Sequence, residues 1–119
     1  MAHYHIYLGR ERGKRVVHKV GLTTQTCYAR CKNADYLIGM SFEIDFPRNS
    51  KIWLNDVENF IIRRFEEKFT LEHGREYFRT PKYNWDKIKV FFTEEVTTFL
   101  HKNGLQYIIH EGWVAPNTY

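Results

Sequence analysis

The sequence predicts an α+β fold: a small three-stranded antiparallel sheet flanked by helices, with an extra helix toward the C-terminus. Two periodicities and one ordering predict it. Residues 3–9, 15–21 and 41–46 alternate their side chains at the period of a strand with two unlike faces. Residues 52–69 and 85–102 repeat apolar side chains every three or four positions, the period of an amphipathic helix. The order is strand, strand, helix, strand, helix, helix, which suits a small antiparallel sheet with helices packed on it.

In the first strand Tyr4, Ile6 and Leu8 point one way, and His3, His5 and Tyr7 the other. Arg10 to Lys14 is a charged loop with a glycine. Arg15 to Gly21 is the second strand, so the two strands form a hairpin. A register pairing residues whose numbers sum to an even value puts Tyr7 and Lys19 on one face, and a slip of one residue separates them. Thr23 or Thr24 then caps a helix that runs to Asn33. Cys27, Cys31 and Ala34 mark its buried side. Arg30 sits at the edge of that side, either reaching over the sheet or packing its stem with its head in water. Residues 34–41 show no clear period, and Gly39 suggests a turn. Phe42, Ile44 and Phe46 line the third strand, which Pro47 stops. Residues 75–79 read as a short extended piece. Asn84 caps the last helix, whose stripe is Ile88, Phe91, Phe92, Val96, Phe99 and Leu100, and Asn103-Gly104 ends it. Residues 105–109 offer a final strand, and the tail 115–119 is expected to fray.

The helix over 52–69 holds the residue of greatest chemical interest. Leu54, Val57, Ile61, Ile62, Phe65 and Phe69 form its apolar stripe, and Glu58 projects from the middle of that stripe. A carboxylate aimed at a core must be paired, protonated or bound to a cation, because desolvating a bare charge is too costly. Glu58 is thus either salt-bridged at the rim of the core or part of a site.

The bulk numbers narrow the class. A chain of 119 residues reads as a single domain with enough material for a core. An aromatic content of 17% argues against disorder. The net charge of +4 is compatible with a nucleic-acid partner. Cys27 and Cys31 lie four apart, the wrong spacing for a redox or zinc pair, and suit a reducing cytosol. No signal peptide opens the chain, and no apolar run approaches membrane-spanning length.

Taken in chain order, Tyr7, Lys19, Gly21, Arg30 and Glu58 resemble the GIY-YIG endonuclease superfamily. The opening Gly-Ile-Tyr strand is matched by His5-Ile6-Tyr7, and the Tyr-Ile-Gly strand by Lys19-Val20-Gly21, followed by Leu22-Thr23. Arg30 matches the arginine of the first helix, and Glu58 the metal-binding glutamate of a later one. The Lys-Val-Gly form, with Glu76-Tyr77-Phe78 after the glutamate helix, is similar to the phage-rich branch. The likeness covers a core of about residues 4–80, with 81–119 as an extension. The sequence departs from the pattern at His5, at Lys19 in place of a tyrosine, and at Ala34, where many members carry a histidine or tyrosine.

The resemblance implies a metal-dependent DNA endonuclease, phage- or mobile-element-encoded and cytoplasmic, with one Mg²⁺ (or Mn²⁺) held by Glu58. It implies that Arg30 contacts the scissile phosphate and that Tyr7 orients or polarises the attacking water. Lys19 would be a general base if its pKa is lowered; otherwise it is an electrostatic clamp, and Tyr7, His5 or His18 takes the proton. Arg10, Arg12, Lys14, Arg15, Lys32, Arg63 and Arg64, with Arg75, Arg79 and Lys82, would supply phosphate contacts. Selectivity would need a homodimer, the extension or a partner protein. The alternative is a non-catalytic DNA- or protein-binding module on the same fold.

Overall fold

A computed structural model describes residues 4–114. His3, expected in the first strand, and the tail 115–119 lie outside the described residues. Nine elements follow in order: β1 (His5–Glu11), β2 (Val17–Thr23), α1 (Cys27–Cys31), β3 (Tyr36–Asp45), α2 (Leu54–Lys68), β4 (Thr70–His73), β5 (Tyr77–Arg79), α3 (Trp85–Lys102) and β6 (Gln106–Glu111). The strands form one six-stranded antiparallel sheet in the order β4-β5-β2-β1-β3-β6.

The expectation of a three-stranded sheet is therefore corrected to six strands. The central three are those read from alternation. The short ones take their place from tertiary pairing. β5 is held on β2 by Thr80 N–H donating to the Val16 carbonyl at 2.7 Å and Val20 N–H donating to the Glu76 carbonyl at 3.0 Å. β4 lies outside β5, and β6 pairs with β3 from Met40↔Glu111 to Asp45↔Gln106. β3 also begins earlier than expected, at Tyr36 rather than Ser41. Leu8 pairs with Met40 but Gly9 pairs with Ile38, so Gly39 is the extra residue of a bulge and the alternation resets there. Gly39 makes no turn. A Cβ on it would sit 2.4 Å from the Trp85 ring.

α1 is shorter than expected. Thr23 belongs to β2, its hydroxyl accepting from Gln25 N–H at 3.0 Å, and the cap is Thr26, which accepts from Ala29 N–H at 3.1 Å. α2 starts where Asp56 accepts from Trp53 N–H at 2.9 Å, an acidic first turn that suits the helix dipole. α3 is capped by Asn84, accepting from Lys87 N–H at 2.9 Å.

The sheet separates two apolar clusters. Ile6, Leu8, Val20, Met40, Phe42 and Ile44 face α2 and α3, where Phe65 is ringed by Phe78, Phe91 and Phe92 at centroid distances of 5.4, 5.2 and 6.3 Å. The opposite face carries Tyr7, Tyr36 and Ile38 under Cys31 of α1. Cys27 and Cys31 are both free thiols. Among the described residues no helix is long and apolar enough to cross a membrane.

Candidate active site

β1 and β2 pair with Tyr7 opposite Gly21, so Tyr7 and Lys19 share a face of the sheet. Gly21 is required there, since a Cβ on it would lie 2.3 Å from the Tyr7 hydroxyl. The Lys19 ammonium donates to the Tyr7 hydroxyl at 3.2 Å and to Glu76 Oε1 at 3.4 Å. Three tyrosine rings surround it: Tyr36 at 4.5 Å, Tyr77 at 5.3 Å and Tyr7 at 5.5 Å. The hydroxyls of Tyr7 and Tyr36 share a hydrogen bond of 2.8 Å. Arg30, exposed on α1, lies 5.9 Å from the Tyr36 ring. β5 covers the edge of β2 only as far as Lys19 and Val20. There the Glu58 carboxyl, on the buried stripe of α2, comes into range of Lys19, Arg75 and Glu76. Arg75 donates to Asn59 at 2.9 Å, which ties the β4–β5 turn to α2 beside Glu58.

Tyr7, Lys19, Arg30 and Glu58 thus belong to one patch, built from two strands and two helices. Glu76, read from the sequence only as part of a motif, joins them and borders both Lys19 and Glu58. Tyr36 and Tyr77 complete the cage. The two lie far apart in the sequence, and their meeting depends on pairings that local sequence does not encode.

Electrostatics distinguish the members. Burial and the neighbouring Glu76 push the Glu58 carboxyl up to about 7, against the opposing pull of Arg75 and Lys19. Burial, helped by the bond to Tyr36, drives the Tyr7 hydroxyl far above its usual range, so it stays protonated at neutral pH. Tyr7 exposes no surface. Its hydroxyl meets Lys19 and Tyr36. Burial draws Lys19 down from the ordinary lysine range while Glu76 opposes it. The carboxylate and the three rings all favour the ammonium form.

His5 and His18 are not part of the patch. His5 bonds Ser41 at 3.1 Å, beside a cavity of about 350 Å³ that also reaches Cys27 and His110. His18 lies fully buried, bonds Thr80 at 2.7 Å and is held down to about 4 by burial. The expected phosphate-binding cations divide. Arg12 donates to the Ala34 carbonyl at 2.9 Å, Lys14 pairs with Glu11 at 2.7 Å, and Arg64 pairs with Glu95 at 2.7 Å and also with Glu67. Arg79 pairs with Glu72 at 3.4 Å. Lys32 and Arg63 are exposed, Arg10 stacks over Trp113 at 4.9 Å, and Arg15 and Lys82 line a cavity beside α3.

Among the described residues no three His, Cys, Asp or Glu side chains gather as a metal cluster. Two carboxylates do converge, Glu58 and Glu76, and they suit a magnesium ion that keeps most of its waters. Comparison with protein-family models, curated proteins and solved structures finds no match to this chain.

Proposed function

We propose that the protein hydrolyses phosphodiester bonds of DNA as an endonuclease of GIY-YIG type. The observation that carries this reading is the convergence of Lys19 of β2, Glu58 of α2 and Glu76 of the β4–β5 turn, with Arg30 at the rim. Hydrolysis needs a water oxygen to bond to phosphorus while a bridging P–O bond breaks, with negative charge growing on the phosphoryl oxygens. Arg30 is free to meet a phosphate oxygen through a charge-assisted bond. The Lys19 ammonium, fixed by Tyr7, Glu76 and the tyrosine rings, is the electrostatic clamp. With Tyr7 protonated and both histidines elsewhere, the Glu58–Glu76 pair is left to receive the proton of the attacking water. The same pair would hold a divalent cation, which when bound neutralises phosphoryl charge and acidifies water.

The test is plasmid nicking with magnesium, with EDTA, and by Glu58→Gln. Both EDTA and the substitution are expected to lower the rate by about 100-fold or more. Equal nicking in all three discards the proposal. The full burial of Tyr7 favours a second reading, a DNA-binding module without catalysis. It predicts undiminished DNA affinity with no cleavage under any metal.

A further inference from the structure

We infer that the extension and the end of the β1–β2 hairpin form a second phosphate-binding site, for the backbone of a nucleic-acid strand at a point away from the scissile bond. The site is a cavity of about 630 Å³ at the start of α3, lined by Arg10, Arg15, Lys82, Lys87 and Trp85, with Asp86 the one acid. None of the four cations forms an ion pair among the described residues. Elsewhere cations find carboxylates, as in Lys14–Glu11 at 2.7 Å, Arg64–Glu95 at 2.7 Å and Lys89–Glu111 at 3.1 Å. Four positive charges around one opening repel each other, and an entering anion relieves that repulsion.

Two further features organise the cavity for an anion. The Arg10 guanidinium is fixed over Trp113, which packs on Trp85 with ring centroids 4.3 Å apart, so one donor fork is held in place before any ligand arrives. The N-terminus of α3, an 18-residue helix, opens beside the cavity and adds its positive dipole end. The ligand chemistry is a phosphate. A nucleic-acid strand is the source that fits the reading above, on which this inference rests. Arg10 lies three residues along β1 from Tyr7, roughly 10 Å of strand, and on the α3 side of the sheet. The phosphate gripped here is therefore a different one from that beside Arg30, and residues 81–87 gain a role in holding substrate.

The test measures affinity for a labelled mixed-sequence duplex in EDTA, across a salt series, for the wild type and the triple variant Arg15→Ala, Lys82→Ala, Lys87→Ala. All three positions are exposed. The triple is expected to bind about tenfold or more weakly at low salt, with its log affinity against log salt flattened by about two to three. A matched control, Arg48→Ala, Lys51→Ala, Lys102→Ala, removes the same charge from exposed positions elsewhere and is expected to change the slope by less than one. Should the triple lose its fold by circular dichroism, the three single variants report the same slope in smaller steps. Equal slopes for triple and control overturn the inference. So does stabilisation by inorganic phosphate at matched ionic strength with an unchanged slope for DNA, which marks a site for free phosphate. Failure of this test with nicking still abolished by Glu58→Gln removes the second site alone. Unaltered nicking by Glu58→Gln with the slopes as expected removes the catalytic reading and leaves the site.

Discussion

Glu58 and His18 are buried titratable groups displaced in opposite directions, and their effects on stability oppose each other. Glu58 is held up at about 7 from an ordinary 4.5, so the native state keeps a proton the unfolded chain has lost. Its contribution is complete below 4.5 and is lost as pH rises through 7. His18 is held down at about 4 from an ordinary 6.5, so the unfolded chain takes the extra proton, and stability is lost as pH falls through that interval. Between 4.5 and 6.5 the two slopes, each about 1.4 kcal/mol per pH unit, cancel. Glu58→Gln is expected to make stability climb by about 3 kcal/mol across that interval, and His18→Gln to make it fall by a similar amount. Urea midpoints at several pH values check both: a pH-flat His18→Gln protein would show that the carboxyl is not held up, and a pH-flat Glu58→Gln protein that the imidazole is not held down. Lys19 tests the clamp. Lys19→Arg keeps a cation and is expected to retain nicking within about tenfold, whereas a residue that accepted the proton would lose it almost wholly. Glu58 was legible in the sequence because the apolar helix stripe made one acid conspicuous. Glu76 was not, since nothing local says that the turn carrying it will dock against β2.

At the scale of elements, legibility followed length and period. α2 and α3 carry long apolar stripes and were read within a residue or two. β4 and β5 have four and three residues, mostly exposed, so they offer no alternation to read. The bulge in β3 hid its first half, because a glycine that admits a tryptophan ring is indistinguishable in sequence from one that turns the chain. Gly21 offers the sharper test of how elements meet. A methyl there collides with the ring and hydroxyl of the fully buried Tyr7. Gly21→Ala is expected to cost about 2 kcal/mol or more by overpacking and to loosen Lys19 with it. Chemical denaturation and DNA nicking should therefore fall together, and an unchanged midpoint would refute the close packing. Asn84→Ala should cost about 1 kcal/mol through the lost α3 cap.

For the molecule as a whole, the sheet ends on one side at β6, where Ile108 is 62% and Ile109 41% exposed. An apolar outer strand is a template for unwanted pairing. Ile108→Lys is expected to raise the concentration at which the protein stays monodisperse, by light scattering, while moving the unfolding free energy by less than about 0.5 kcal/mol. The overall topology was only half readable. Alternation marks a strand, but which strands become neighbours is decided by contacts between residues far apart in the chain. The candidate site itself is scattered from position 7 to position 77, and Glu76 is tied to β2 through Val20 N–H to its carbonyl and the Lys19 ammonium to its carboxylate. A chain still emerging from the ribosome has no such centre until β5 has been synthesised and docked. Truncated products ending before that point should be inert toward the nucleic acid around them, and protection of the Val20 amide from deuterium exchange would mark the moment the centre closes.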